Sequence, residues 1–318
     1  MIKKLSTFFY SKAIQDQRVT FPDNKRRIHK PRSKVIQFYS SVHNIGNYMP
    51  ILAGHEILDM VPDKWCLQAK NIDFDYINNN YKGVIIGGAG LLHSNFENFW
   101  SLLAKECKIP ITIWGVGLCA PYNSDRFGVN SKIVNKLQGK LELVNFRDEL
   151  TAHYYNLPNT NISFCPTIVY IVNNYKRKSG DQVLLAMHNE LDDEKEVLFK
   201  YLKKNTEHVL TTNNQQSPWY GLTQMIEKLY CESKVIVTSK LHGAITAFSL
   251  GIPYIAFPVD KKLDEFVDSH GNGLLVHDIE SVIEFIEREM EVDHKNIKQE
   301  YNSTLEFGLK VKSWVNSL

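Results

Sequence analysis

The sequence predicts an α/β protein of two Rossmann-like domains facing a central cleft. Short apolar strands alternate with helices of roughly ten residues along nearly the whole chain, the pattern of parallel sheets covered on both faces. A polar, aperiodic stretch at 173–181 (NNYKRKSGD) divides that alternation into halves of similar size. With 318 residues, each half has enough chain to bury its own core.

The elements follow in order. Residues 34–41 (KVIQFYSS) read as the first strand, and 51–60 as a helix after the loop Asn44-Ile45-Gly46-Asn47. Residues 83–86 (GVII) form a buried strand running into the glycine-rich turn 87–90, with an amphipathic helix over 96–105. Strands at 111–115 and 141–146 are followed by helices at 131–137 and 150–155. Beyond the polar stretch come strands at 182–187, 207–211, 235–238 and 253–256, and helices at 192–204, 222–231 and 241–250. A segment at 281–290 and a last helix over 302–314 close the chain, the latter expected to cross back to the first domain. The resulting division is a leader at 1–34, a first domain at 35–172, a second at 181–300 and a closing helix at 301–318.

Composition narrows the function. The net charge of +2 conceals ten basic against two acidic side chains in residues 1–34, a leader of +8 on a body of −6. Docking on anionic lipid or an acidic glycan fits such a leader, and a solvated basic arm fits it equally. An acidic body does not suit nucleic acid. The leader's apolar stretch, 5–10, is too short for a secretory signal, and no run reaches the roughly 18 residues that span a bilayer, so a cytoplasmic protein is expected. Five widely spaced cysteines without a C-x-x-C pair predict reduced thiols and neither zinc nor disulfides.

The richest segment is VIVTSKLHGAITAFSLGIPYIAFPVDKK at 235–262. A strand runs into Ser239-Lys240-Leu241-His242-Gly243 and a helix follows, so the helix's first amides, a lysine and a histidine share one turn. That combination makes a phosphate or carboxylate pocket with a proton donor in it. Arg147-Asp148 ends a second strand. It fits either a cation reaching into a cleft or a helix cap with a surface arginine, and the residues alone favour neither. The turns at 87–90 and 114–117 suit close backbone approach to a ligand, but they lack the pattern of a nucleotide-binding loop. No G-x-S-x-G or H-E-x-x-H motif is present.

In their order and spacing these segments resemble the polysaccharide pyruvyl transferase family, from about residue 35 to residue 266. The N-x-G-D loop of that family looks like 44–47, its strand with G-G-G like 85–90, and its second glycine turn like 115–121. Its V-R-D/E-x-x-S element looks like 146–151. Its S-x-R-L-H-A/G, G-x-P and D-x-K-x-x-x-F elements look like 239–243, 251–253 and 260–266.

The resemblance implies a GT-B-like fold and transfer of an enolpyruvyl group from phosphoenolpyruvate to a sugar of a capsule or exopolysaccharide as a pyruvate ketal, with phosphate released and no cofactor or metal needed. Arg147, Ser239, Lys240, Leu241, His242, Gly243 and Lys262 would then bind phosphoenolpyruvate, with His242, Arg147 and Lys240 catalytic. His242 is expected to be the general acid, as an imidazolium kept charged beside anions. Asn44, Gly46, Asn47, Gly87, Gly88 and His93, on the first domain, would hold the acceptor, whether a nucleotide sugar, a lipid-linked oligosaccharide or a polysaccharide. Three positions depart from the family pattern: Lys240 replaces arginine, Asn47 an aspartate, and Cys165 the aspartate before Pro166. Two rival readings are a nucleotide-sugar glycosyltransferase of the same shape and a non-catalytic glycan-binding relative. The leader lies outside the resemblance and is not required for this chemistry; where it has a partner, the expectation is peripheral contact with the inner membrane face.

Overall fold

The computed structural model describes residues 31–68, 72–122, 128–205, 208–217, 220–286, 288 and 290–318. Nearly all of the basic leader therefore lies outside the described residues.

The first lobe is a six-stranded sheet, β1 (Val35–Tyr39), β2 (Asp63–Cys66), β3 (Gly83–Gly87), β4 (Ile111–Val116), β5 (Leu141–Phe146) and β6 (Thr160–Ile162), in the order β2-β1-β3-β4-β5-β6. Its helices are α1 (Ile45–Leu58), α2 (Phe74–Asn80), α3 (Glu97–Glu106), α4 (Ser131–Asn135), α5 (Glu149–Tyr155) and α6 (Thr167–Asn174). The second lobe has β7 (Gln182–Ala186), β8 (Val209–Thr212), β9 (Ser233–Thr238), β10 (Tyr254–Ala256) and β11 (Gly273–Leu275), in the order β11-β10-β9-β7-β8. With it run α7 (Asp192–Asn205), α8 (Leu222–Met225, continued as a π-helical turn to Tyr230), α9 (Leu241–Leu250), α10 (Lys261–His270), α11 (Ile279–Ile286) and α12 (His294–Ser317). The neighbouring strands of both sheets pair in parallel, so the ends where the cleft forms are all strand C-termini. This is the two-domain α/β architecture read from the alternation.

One apolar layer joins the lobes. Ile51 of α1, Ile168 of α6, Ala247 of α9 and Val311 of α12 are buried in it together with Ile85 of β3 and Leu184 of β7. The closing helix, α12, reaches the first sheet: Gly83 packs against Trp314 and Leu318, and Gly308 against Ile57 and Trp114. Among the described residues, no helix is long and apolar enough to cross a membrane.

Several expected boundaries move. The segment 44–47 is not a loop before a helix: α1 begins at Ile45, with Asn44 as its cap, its side-chain oxygen accepting from the amide of Gly46 at 2.9 Å. The polar stretch is not free of structure either. It begins inside α6, and beyond it Arg177 donates to the Gly251 carbonyl and the Lys178 amide to that of Cys231. The strand β2 escaped notice because it carries Asp63 and Lys64, both buried, where a strand between two layers normally reads as apolar.

Candidate active site

A cavity of about 260 Å³ opens where the strand ends of the two lobes meet. After β1 come Asn44 and Asn47, after β3 Gly90 and His93, after β4 Cys119, and after β5 Arg147. The second lobe adds His188 after β7, Lys240 and His242 after β9, and Lys262 after β10. Among the described residues, its walls hold two lysines, an arginine and three histidines, and no aspartate or glutamate.

Arg147 is 5 % exposed. Its Nε donates to Asp148 at 3.1 Å and its Nη2 to the Leu118 carbonyl at 3.3 Å. Burial, the largest single influence, opposes its charge, but Asp148 together with Cys165 and Cys119 outweighs it and raises the guanidinium pKa. Asp148 in turn caps α5 through the Thr151 amide at 2.8 Å. Each expectation for this pair was thus half right, since the aspartate is a helix cap and the arginine is a buried cleft residue.

Lys262 is arranged in the same way. Asp260, nearly buried, accepts from its ammonium at 2.6 Å and from the amides of Lys262 and Ala120 at 3.0 Å. Burial pushes the Asp260 carboxyl up, but Lys262 and these amides prevail and hold it below the ordinary range. The Lys262 ammonium, raised despite burial, also reaches Cys119 Sγ at 3.6 Å. Lys240 differs. It caps α9 with extended backbone, no carboxylate forms an ion pair with it among the described residues, and burial lowers its ammonium to about 8.

His242 corrects the expected imidazolium. It sits on the second residue of α9, its ring against Gly46, where an added Cβ would lie 2.5 Å from Cγ and from Nδ1. Burial first, then Arg147 and Lys262, push its pKa well below 6.5. Its Nε2 faces Cys165 Sγ at 3.6 Å, and burial raises the pKa of that thiol, which therefore brings no charge of its own to the imidazole. In the free protein His242 is neutral.

Five other expected contacts are redirected. Gly87 and Gly88 do not face the cavity: a Cβ on Gly87 would meet the Gln37 amide at 2.5 Å, and one on Gly88, whose φ is +73°, would meet Pro50 at 2.2 Å. Gly46 serves as the seat of the His242 ring. Gly243 packs on Thr238, while Ser239, 2 % exposed, turns its hydroxyl to His188, accepting from its backbone amide at 2.8 Å and meeting Nδ1 at 2.9 Å. Leu241 and His242 supply the first two amides of α9, which precede its first internal hydrogen bond. His93 accepts from the Asn95 amide through Nδ1 at 3.0 Å, and burial and Lys262 lower its pKa.

Sequence reasoning missed His188, whose pKa burial and Lys240 depress to about 3, and it flagged the 114–117 turn and the 260–266 element without giving Gly117 or Asp260 a role of its own. His188 stands at a strand's C-terminal end, a position that rule alone could have flagged. Among the described residues, no group of three or more His, Cys, Asp or Glu could hold a metal ion.

Solved structures share this fold at low identity. The UDP complex of MnaA from S. aureus has a TM-score of 0.58 at 11% identity, covering 90% of this chain and 98% of its own. The UDP-GlcNAc 2-epimerase of Methanocaldococcus jannaschii, with UDP-GlcNAc and UDP, has a TM-score of 0.56 at 13% identity, covering 88% and 99%. No curated protein matches the chain. The model of the polysaccharide pyruvyl transferase family matches residues 22–261, a span that takes in every cleft residue from Asn44 to His242 and stops one residue before Lys262. The chain belongs to the polysaccharide pyruvyl transferase family and is a transferase.

Proposed function

We propose that the chain transfers the enolpyruvyl group of phosphoenolpyruvate to two hydroxyls of one sugar, forming a pyruvate ketal and releasing phosphate. The observation that supports this reading is the cleft lined by Arg147, Lys240 and Lys262 with no carboxylate among the described residues of its walls. A small ligand bearing both a phosphate and a carboxylate matches it in charge.

In this reading Arg147, Lys240, Lys262 and the first amides of α9 neutralise the two anionic groups. Asn44, Asn47 and His93 complete the first-lobe wall. The negative charge that arrives reverses the field at His242, whose imidazole takes up a proton as the substrate binds. His242 then protonates the methylene carbon, and C2 becomes electrophilic. One sugar hydroxyl adds to C2 and gives its proton to the now neutral His242. The second displaces phosphate, breaking the C2–O bond and closing the ketal, and its proton leaves with the phosphate as hydrogen phosphate.

The direct test is incubation with phosphoenolpyruvate and a panel of sugar acceptors, following phosphate release and an acceptor mass gain. Turnover with a nucleotide sugar as donor, and none with phosphoenolpyruvate, would replace this reading with glycosyl transfer. Binding of glycans without any turnover would replace it with a non-catalytic role. For the leader, the proposal is that residues 1–34 bring the chain to an anionic membrane surface on the cytoplasmic side. Deleting residues 1–30 should reduce binding to phosphatidylserine vesicles and leave turnover of a soluble acceptor unchanged.

A further inference from the structure

A second cavity, about 470 Å³, lies behind the wall formed by Arg147, Leu241 and Lys262, and those three residues line both spaces. Its chemistry is the reverse of the cleft's. Asp148, Glu149, Glu265 and Glu300 line it, none of which lines the cleft. Phe164 and Phe266, with ring centres 5.4 Å apart, form an apolar face, and the His270 ring lies 4.8 Å from Phe164. Hydroxyls and an amide from Ser163, Ser269, Ser303 and Gln299 complete the lining.

An excess of carboxylates repels an anion such as phosphoenolpyruvate. It suits a neutral ligand rich in hydroxyl donors, which the serine hydroxyls and the Gln299 amide can also pair with. We infer that this cavity is the sugar subsite, and that the acceptor approaches the donor from the side of α10 and α12 across the shared wall rather than from the first-lobe wall of Asn44, Asn47 and His93. The inference rests on the pyruvyl-transfer reading for the direction of reaction, but the presence of a sugar site does not depend on turnover. Of the carboxylates in the lining, Glu265 is held in place by its Oε1, which accepts the Leu150 amide at 2.7 Å.

Saturation-transfer NMR with methyl glycosides of glucose, galactose, mannose and N-acetylhexosamines reads sugar binding without turnover. At least one should give signal on the wild-type chain. Ser303→Trp and, independently, Ser269→Trp place a bulky ring at the cavity from exposed helix positions, and thermal melts check that each folds. Either should abolish that signal, or raise the acceptor KM tenfold or more, while stabilisation by phosphoenolpyruvate stays at the wild-type level. No glycoside signal on the wild type, or signal retained in both folded variants but lost in Asn47→Trp, overturns the inference. Loss of sugar binding in both variants, with a chain that phosphoenolpyruvate never stabilises, would uphold the sugar subsite and reject the donor reading.

Discussion

Gly117 lies directly beneath the guanidinium of Arg147: a Cβ added to Gly117 would fall 2.2 Å from Nε and 2.6 Å from Cζ. The arginine is held from its other sides by Asp148 and the Leu118 carbonyl, so it cannot yield to a methyl group without losing those bonds. Gly117→Ala should therefore weaken phosphoenolpyruvate binding about 10- to 100-fold, the equivalent of one charge-assisted hydrogen bond. Calorimetric titration checks this, and an unchanged affinity would remove Arg147 from the donor site.

Lys240 should impose an alkaline limit. A cation must be present for the donor to bind, and burial sets this ammonium at about 8 in the free chain. Protonation is lost as pH rises through that value, so kcat/KM for phosphoenolpyruvate should fall above it. Lys240→Arg keeps its charge throughout the accessible range, so its profile should stay level to at least pH 9. The same alkaline fall in wild type and variant would assign the limit to another group.

His242 should bind a proton together with the donor. It is neutral in the free chain because burial, Arg147 and Lys262 all disfavour its charge. Titrations near pH 7, where Lys240 is already mostly protonated, can be run in buffers of different ionisation heat to count the protons taken up. Wild type should take up a fraction of a proton more than His242→Gln, and His242→Ala should lose turnover on the order of 10²-fold. Equal uptake in the two proteins would leave His188 as the group that titrates.

What could be read from the sequence follows how local each cause is. Arg147 and the 239–243 turn were legible because a strand end or a helix start, together with a charged side chain, is encoded within a few residues. The strand-end position of His188 was legible in the same way, but its orientation was not, because the hydroxyl that holds it belongs to Ser239, 51 residues away. Gly87 and Gly88 show the converse limit. A glycine-rich turn signals close approach, but not whether a ligand or the protein itself approaches, and here Gln37 and Pro50 take the space. The protonation state of His242 was likewise hidden, since it depends on burial by the fold and on cations from two other strand ends.

Glu265 of α10 holds the Leu150 amide of α5 at 2.7 Å across the two lobes, and its elevated pKa gives stability a definite pH dependence. Burial, with Asp148 adding to it, raises the carboxyl from 4.5 to about 7. Between those values the folded chain holds a proton that the unfolded chain releases, so this residue's contribution is fully present below 4.5 and is lost as pH rises through about 7. His188 acts in the opposite sense: depressed to about 3, it contributes stability above 6.5 that is lost as pH falls. Glu265→Gln keeps an oxygen for the Leu150 amide and removes the titration. Its melting temperature relative to wild type should therefore rise from pH 5 to pH 8, by on the order of 2 °C after allowance for partial exposure. A difference that does not change with pH would mean that Glu265 stays ionised in the folded chain and acts only as a fixed tie between the lobes.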